Sequence, residues 1–501
     1  NMLNWVWENT LSYTTIIKDV HNLSAIAGWT AQKESVNTSL LAGNGYPNDL
    51  VHTMNAASAI TSWSATAYEW SLLSALARVQ YSYKGKYLLS AAARMDGSSR
   101  FGKNNRWGMF PSASAGWYIS EEDFMKDIKW LTSLKLRASY GISGNFNIGN
   151  YEYYATLSED NYVFGKADGT LASGLRPATA GNPDLGWEKT AMFNLGLEIG
   201  LFNMLTLELD LYNSNTTDML LNVPVAEFSG FSTVPMNIGK VNNKGVEFAI
   251  STTNTWGDFT WNNRFNISAN RNEVKDLGGV DEMITTSESV TFITKVGEPI
   301  GNYYTLVTDG VFANQAEIDN SKNPDKSQRK YAYVSGAKPG DFRFKDMDGN
   351  MEIDENDRTI TGNYMPKFTY GFSTDFKYKW FDLSVALQGV QGNKIANIFR
   401  RYIDNMEGGN NSQADALDRW QSESNPGSGY VVRANRSATG MNGTTSTWHI
   451  EDGSYMRIKN ITFGYTLPKS LLTNVGISRV RVYFSTQNPF TFTKYSGYNP
   501  E

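Results

Sequence analysis

The chain has 501 residues, 45 basic and 50 acidic side chains, a net charge of −5 and a mean hydropathy of −0.41. No basic run stands out, so nucleic acid is not an expected partner. The absence of cysteine excludes disulfides, thiolate metal sites and a cysteine nucleophile. No stretch approaches the roughly 18 apolar residues of a transmembrane helix, but a transmembrane β-strand needs alternate apolar residues over only about 10 positions.

Strand signals begin at once, since "NMLNWVWENTLSY" already alternates. Period-2 alternation predicts about fourteen strands, near 4–15, 23–37, 68–84, 87–96, 108–119, 134–143, 188–201, 205–215, 244–254, 259–271, 367–379, 381–391, 454–466 and 480–488. In the third, Ala75, Ala77, Val79, Tyr81 and Tyr83 alternate with Leu76, Arg78, Gln80 and Ser82, up to a Lys84-Gly85-Lys86 turn. Leu205, Leu207, Leu209 and Leu211 likewise oppose Thr206, Glu208, Asp210 and Tyr212. The eleventh strand separates its faces most strongly: Phe368, Tyr370, Phe372, Thr374, Phe376 and Tyr378 against Thr369, Gly371, Ser373, Asp375 and Lys377. The connections alternate short and long, and the long ones are 38–67, 144–187, 216–243, 272–366 and 392–453. In an up-and-down barrel every second connection lies on the same rim, so this pattern gathers the long loops on one side. The expected fold is all-β: a transmembrane antiparallel barrel whose aromatic faces meet lipid, with a soluble β-sandwich or propeller as the alternative.

Two short helices are expected outside the strands, over Ser120–Leu131 with Ser120 as N-cap and over Gln413–Gln421. His21, His52 and His449 belong to no metalloprotease motif or cluster, and no nucleophile elbow is present, so catalysis is not expected. The segment "DMDGNMEIDEND" places Asp346, Asp348, Asn350 and Asp354 at positions one, three, five and nine of a twelve-residue loop. Asp357 stands at twelve, and the Glu352 carbonyl would fill the seventh place. That spacing suits a structural Ca²⁺, which takes six to eight oxygens. Met351 occupies the position where such loops turn on glycine, and the alternative is a solvated acidic turn. Loop aromatics Tyr151, Tyr153, Tyr154, Tyr162, Phe164, Phe228, Phe231, Trp420 and Trp448 are candidates for contact with a lid or a ligand.

The segments "DGSSRFGKNNRWGMFPSASAGWYISEEDFMK" (Asp96–Lys126), "LKLRASYGISGN" (Leu134–Asn145) and "NIGKVNNKGVEF" (Asn237–Phe248) resemble the SusC/RagA family of TonB-dependent outer-membrane transporters of Bacteroidetes. So do "PGDFRFKDMDGNMEIDENDRTITGNYMPKFTYGF" (Pro339–Phe372), "EDGSYMRIKNITFGYTLP" (Glu451–Pro468) and "RVYFSTQNPFTFTKYSGYNPE" (Arg481–Glu501), in the family's order and over essentially the whole chain. The resemblance implies a 22-stranded barrel closed by an N-terminal plug and importing oligosaccharides or peptides. It also implies a SusD-like surface lipoprotein as lid, TonB as the source of energy and a place in the outer membrane. Residues 1–501 are then expected to be the C-terminal portion of that barrel, without plug or N-terminal domain; a 14-stranded barrel closing on itself is the alternative. The loops 272–366, with its acidic turn, and 392–453 are expected outside the cell. A passive porin, a barrel enzyme and a soluble all-β binding protein are the rival functions.

Overall fold

Fourteen segments with one apolar and one polar face pair in chain order into a single antiparallel sheet. They are β1 (Met2–Ile17), β2 (His21–Asn44), β3 (Ala59–Tyr83), β4 (Tyr87–Ser98), β5 (Trp107–Tyr118), β6 (Leu131–Asn145), β7 (Glu188–Leu201), β8 (Leu205–Thr217), β9 (Lys240–Trp256), β10 (Phe259–Asp276), β11 (Phe368–Tyr378), β12 (Phe381–Gln391), β13 (Tyr455–Thr466) and β14 (Arg481–Thr493). The computed structural model describes residues 1–165, 169–404, 406, 410–435, 440–473 and 476–501. Every expected strand is present, and the hairpin turns have a visible cause. Lys18 and Asp19, Lys84 and Gly85, and Phe202 and Asn203 all take positive φ, as the two-residue turns that match strand twist require. The chain divides into two compact units, Asn1–Leu197 with Tyr212–Asn242, and Glu198–Leu211 with Asn243–Glu501.

In the first unit, cross-strand register keeps like with like. Leu11, Ala27, Ala77, Ala93 and Pro111 lie opposite one another across five strands, as do Tyr13, Ala25, Val79, Ala91, Ala113 and Tyr140 across six. Among the described residues this apolar face stands largely uncovered: Leu11 is 76% and Tyr13 60% exposed. Strands β2 and β3 run 24 and 25 residues. Pairing with β1 stops at Met2 opposite Val36 and pairing with β4 at Leu72 opposite Ser98, while β2 and β3 stay paired as far as Asn44 opposite Ala59. The expected loop 38–67 is therefore largely a two-stranded ribbon. A buried hydrophobic cluster of Phe101, Phe110, Leu185 and Trp187 anchors the later loops of this unit, and Trp187 Nε1 donates to the Arg106 carbonyl at 3.0 Å.

In the second unit the same sorting holds. Phe265, Phe372, Leu387 and Ile458 form one apolar row, and Trp261, Phe376, Leu383, Phe463 and Phe484 form another. The alternate positions carry the polar rows, among them Asn262, Asp375, Ser384, Thr462 and Ser485. On that face Arg481 Nε donates to Asp382 Oδ1 at 3.0 Å. The loops 272–366 and 392–453 are packed together rather than extended. Strands Glu282–Ser287, Val290–Lys295, Asn302–Thr305 and Thr359–Asn363 make a small sheet. Leu306, Phe312, Ile318, Phe342, Phe344 and Val432 share one buried core drawn from both loops. Burying each such side chain is worth roughly 1.5–3 kcal/mol, so the two loops are stabilised as one body.

Neither expected helix forms as an α-helix; both ranges hold only short 3₁₀ segments. Ile119–Glu121 and Asp123–Met125 are single 3₁₀ turns, and the Ser120 side chain makes no cap. Glu122 holds this segment instead, its carboxylate accepting from Tyr87 Oη at 2.6 Å, Trp117 Nε1 at 3.0 Å and Lys86 Nζ at 3.3 Å. Residues Ala414–Asp418 are also a 3₁₀ turn.

Candidate functional site

The acidic turn is built by short side chains that bond to nearby backbone. Asp346 accepts from the N–H of Gly349 at 2.6 Å and of Met351 at 2.8 Å; Asp348 accepts from Asn350 N at 2.9 Å. Asn350 Oδ1 accepts from Glu352 N at 2.7 Å, and Asp354 Oδ1 from Asn356 N at 2.7 Å. Asp357 is fully buried and closes the turn, accepting from Met347 N at 2.7 Å and Asp354 N at 2.8 Å. Met351 has φ 71°, so the sharp turn at position six is made without glycine. Ile353 turns inward and joins the core of the loop body, while its N–H donates to the Tyr333 carbonyl at 2.9 Å.

Of the six expected ligands, Asp346, Asp348 and Asp357 converge, with carboxylate oxygens within 4.8 Å of one another. Asp354 caps the 3₁₀ turn Glu355–Asp357, and Asn350 props the backbone of Glu352. Glu352 lies opposite Tyr333 in an isolated bridge. Arg343 approaches Asp309 and Glu317, and Arg358 approaches Glu355.

Beside this turn the loop body contains buried polar links that sequence reasoning missed. Asp341, fully buried, accepts from Arg433 Nε at 2.8 Å, Asn442 Nδ2 at 2.9 Å and Lys338 N at 2.8 Å. Arg400 donates to Asp404 at 2.6 Å and to the Trp448 carbonyl at 2.7 Å. His449 is 1% exposed; its Nδ1 accepts from Ser446 N at 3.2 Å, and Nε2 has no partner among the described residues. Burial and the adjacent Arg400 and Arg401 push this imidazole down to about 4. The bonds of Arg433 and Asn442 to Asp341 and of Arg400 to the Trp448 carbonyl join residues 92, 101 and 48 positions apart, so spacing carries no signal of them.

The aromatic candidates separate into two groups. Trp420 and Trp448 pack on the loop core, Trp420 Nε1 donating to the Ala313 carbonyl at 3.0 Å and the Arg400 guanidinium lying 3.8 Å from the Trp448 ring. Both lie partly buried against the core that joins the two loops. Tyr153 is half-buried against the first unit's hydrophobic cluster, 4.1 Å from the Tyr154 ring, and burial pushes its phenol up. Tyr151 accepts from Glu69 N at 3.0 Å, sealing part of the β3 edge. Tyr154, Tyr162, Phe164 and Phe228 remain exposed, Phe228 at 95%, while Phe231 is half-buried.

A family model described as TonB dependent receptor-like, beta-barrel, matches residues 3–488. The chain belongs to this family. The receptor barrel is 36% identical over 512 residues to TonB-dependent receptor P3 of Formosa agariphila, covering 100% of this chain and 49% of that protein. It is 33% identical over 453 residues to TonB-dependent receptor SusC of Bacteroides thetaiotaomicron, covering 87% of this chain and 42% of SusC. A chain of the solved RagAB peptide transporter superposes with a TM-score of 0.82 at 28% identity, over 100% of this chain and 53% of its own length. The chain thus spans about half the length of the curated relatives it matches. The receptor barrel is an outer-membrane one, which explains why large side chains such as Leu11 and Phe484 stand uncovered on one face of the sheet.

Proposed function

We propose that the chain supplies the C-terminal part of the barrel of a SusC/RagA-type importer. It would carry oligosaccharides or peptides across the outer membrane, driven by TonB and lidded by a SusD-like surface lipoprotein. The observation that carries this reading is the fourteen-strand sheet with one face apolar and uncovered and the other lined with Asp375, Ser384, Asp382 and Arg481, in a chain alike to SusC and RagA along nearly all its length. The packed loop body and the exposed Tyr154, Tyr162, Phe164 and Phe228 are the surfaces assigned to the lid. Asp346, Asp348 and Asp357 are assigned to a structural Ca²⁺ that orders the turn. Chelation should then increase proteolysis around Asn350 and leave barrel assembly intact; unchanged proteolysis would remove the ion from the account.

The test of function is uptake of labelled oligosaccharides and oligopeptides by cells carrying the full-length protein, with and without TonB. The importer reading predicts saturable uptake that disappears without TonB. Uptake that persists unchanged would make the protein a passive porin.

A further inference from the structure

The lipid-facing side of the second unit changes character along β10. Trp261 lies opposite Phe376, Phe265 opposite Phe372 and Ile267 opposite Tyr370. Alternation carries the same face on through Ala269 to Arg271, Glu273 and Lys275. Burial follows suit: Arg271 and Lys275 are exposed, and the intervening Asn272 and Val274 are buried. In β9, Thr252 Oγ1 accepts from Asn263 Nδ2 at 3.1 Å, so the face that carries Asn263 continues through Thr252, Ile250, Phe248 and Val246 to Lys244. From the short turn upward, the first charges on this face are Arg271 in β10 and Lys244 in β9. Both are cations.

Their height matches a boundary. The apolar band of an outer-membrane barrel is about 25 Å tall and strands cross it at about 40°, so roughly ten residues at ~3.3 Å each span it. Aromatic rings crowd the short-turn end of this face, Trp256 stacked on Phe259 at 5.9 Å and Trp261 on Phe376 at 5.7 Å. Ten residues up from Phe259 is Ala269, just above Ile267, which opposes Tyr370; the Tyr370 ring lies 6.2 Å from Phe368. Arg271 is the next side chain on that face. Arg271 and Lys244 make no side-chain hydrogen bond or ion pair among the described residues. Lys275 Nζ donates to Glu273 Oε1 at 2.6 Å, and the charges of Lys244 and Arg271 reach the same carboxylate. Three cations thus meet one carboxylate, and the patch is positive. Val274 ties it to the loop body, its N–H donating to the Glu298 carbonyl and its carbonyl accepting from Gly297 N, both at 2.9 Å.

We infer that Lys244, Arg271 and Lys275 form a site for the phosphate of an outer-leaflet glycolipid, whose acyl chains lie along the apolar face below. The inference goes beyond the importer reading and rests on it for orientation alone, with the long loops outside. The outer leaflet of a bacterial outer membrane presents phosphorylated glycolipid at the level where these cations stand. Arginine offers a planar fork to two phosphate oxygens, and lysine adds a mobile point charge. Basic groups at the edge of a lipid-facing surface recognise anionic headgroups in this way. A neutral headgroup would leave Arg271 and Lys244 without a counter-charge. Because Val274 joins the same stretch of β10 to Gly297 and Glu298, bound lipid would brace the root from which the loop 272–366 rises.

The test uses the full-length protein, freed of bound lipid in detergent and placed in phosphatidylcholine nanodiscs. The discs contain monophosphoryl lipid A, its dephosphorylated form or phosphatidylglycerol, and native mass spectrometry reads the lipid retained. One variant combines Lys244→Gln and Arg271→Gln. A control combines Lys295→Gln and Lys322→Gln, cations of the loop body that pair with Glu282 and Asp319. Unboiled gel mobility verifies that both fold. The unaltered protein should retain monophosphoryl lipid A in preference to the other two lipids. The Lys244–Arg271 variant should hold it about tenfold or more weakly, with the control unchanged. Equal retention of the phosphorylated and dephosphorylated forms, or undiminished retention by the variant, would overturn the site. A preference for phosphatidylglycerol would overturn the outer-leaflet assignment. Undiminished lipid retention with weakened capture of a lid lipoprotein would give the patch to a protein and overturn the site as well. Substrate uptake that persists without TonB would instead overturn the importer reading, and lipid retention by the purified protein still judges the site.

Discussion

His449 illustrates what a single buried side chain contributes to the loop body. The Arg400 and Arg401 guanidinium groups lie near a ring that has lost its water, so the proton is unwelcome and the pKa falls to about 4. As pH falls, the unfolded chain binds the proton first, near its ordinary 6.5. The stabilisation is therefore complete above about 6.5 and is lost as pH falls toward about 4, a difference of about 3 kcal/mol. Protection of amides in 392–404 and 446–452, taken relative to the intrinsic exchange rate at each pH, should fall as pH drops across that window, and His449→Gln should flatten the dependence. A wild-type profile without slope would contradict the placement. A second residue-scale expectation concerns Met351, which has φ 71° where L-residues are strained. Met351→Gly should stabilise the turn by roughly 0.5–1 kcal/mol, measured by protease resistance of the loop. The spacing of Asp346, Asp348 and Asp357 was legible in the sequence because it is local. The separate tasks of Asn350 and Asp354 were not, because each short side chain also had nearby backbone N–H groups to accept from. The commitment of Trp420 and Trp448 to the core was hidden as well, since it depends on contacts across more than a hundred residues.

At the scale of the element, the strands were almost fully legible. A two-faced strand must alternate, and Phe372 against Ser373 is as plain in the sequence as in the register, where Phe372 meets Phe265 and Leu387 while Ser373 meets Arg264 and Ala386. Phe372→Arg should cost roughly 2–4 kcal/mol and Ser373→Arg far less, read from heat-modifiable gel mobility after refolding into lipid. Equal tolerance would reverse the face assignment. Alternation failed as a guide where both faces are alike. The ribbon from Thr38 to Asn44 and from Ala59 to Thr66 is uncharged and weakly patterned, so it read as loop, yet backbone pairing alone carries it on. The segment after Ser120 failed for the opposite reason. Its residues favour a helix, but Glu122 is drawn into bonds with Tyr87, Trp117 and Lys86 that a continuous helix would not serve.

At the scale of the molecule, the proposed importer puts its short turns on one side of the outer membrane and its long loops on the other, as alternating connection lengths require of an up-and-down barrel. The barrel class follows from alternation and connection lengths together, and the family from the motifs it resembles and the family model it matches. Which polar residues share a row required the register, because Thr14, Ser24, Gln80, Ser90, Ser114 and Ser139 oppose one another across six strands although the first and last are 125 positions apart. These 501 residues contain no cysteine, so once any cysteine elsewhere in the full-length protein is replaced, single introduced thiols report topology without background. In the full-length protein on living cells, Asn410→Cys in the long loop and Lys84→Cys in the β3–β4 turn should be tested with a membrane-impermeant maleimide. Labelling is expected at Asn410→Cys on intact cells, and at Lys84→Cys only after the outer membrane is opened. Labelling of Lys84→Cys on intact cells, with Asn410→Cys protected, would contradict the proposed orientation.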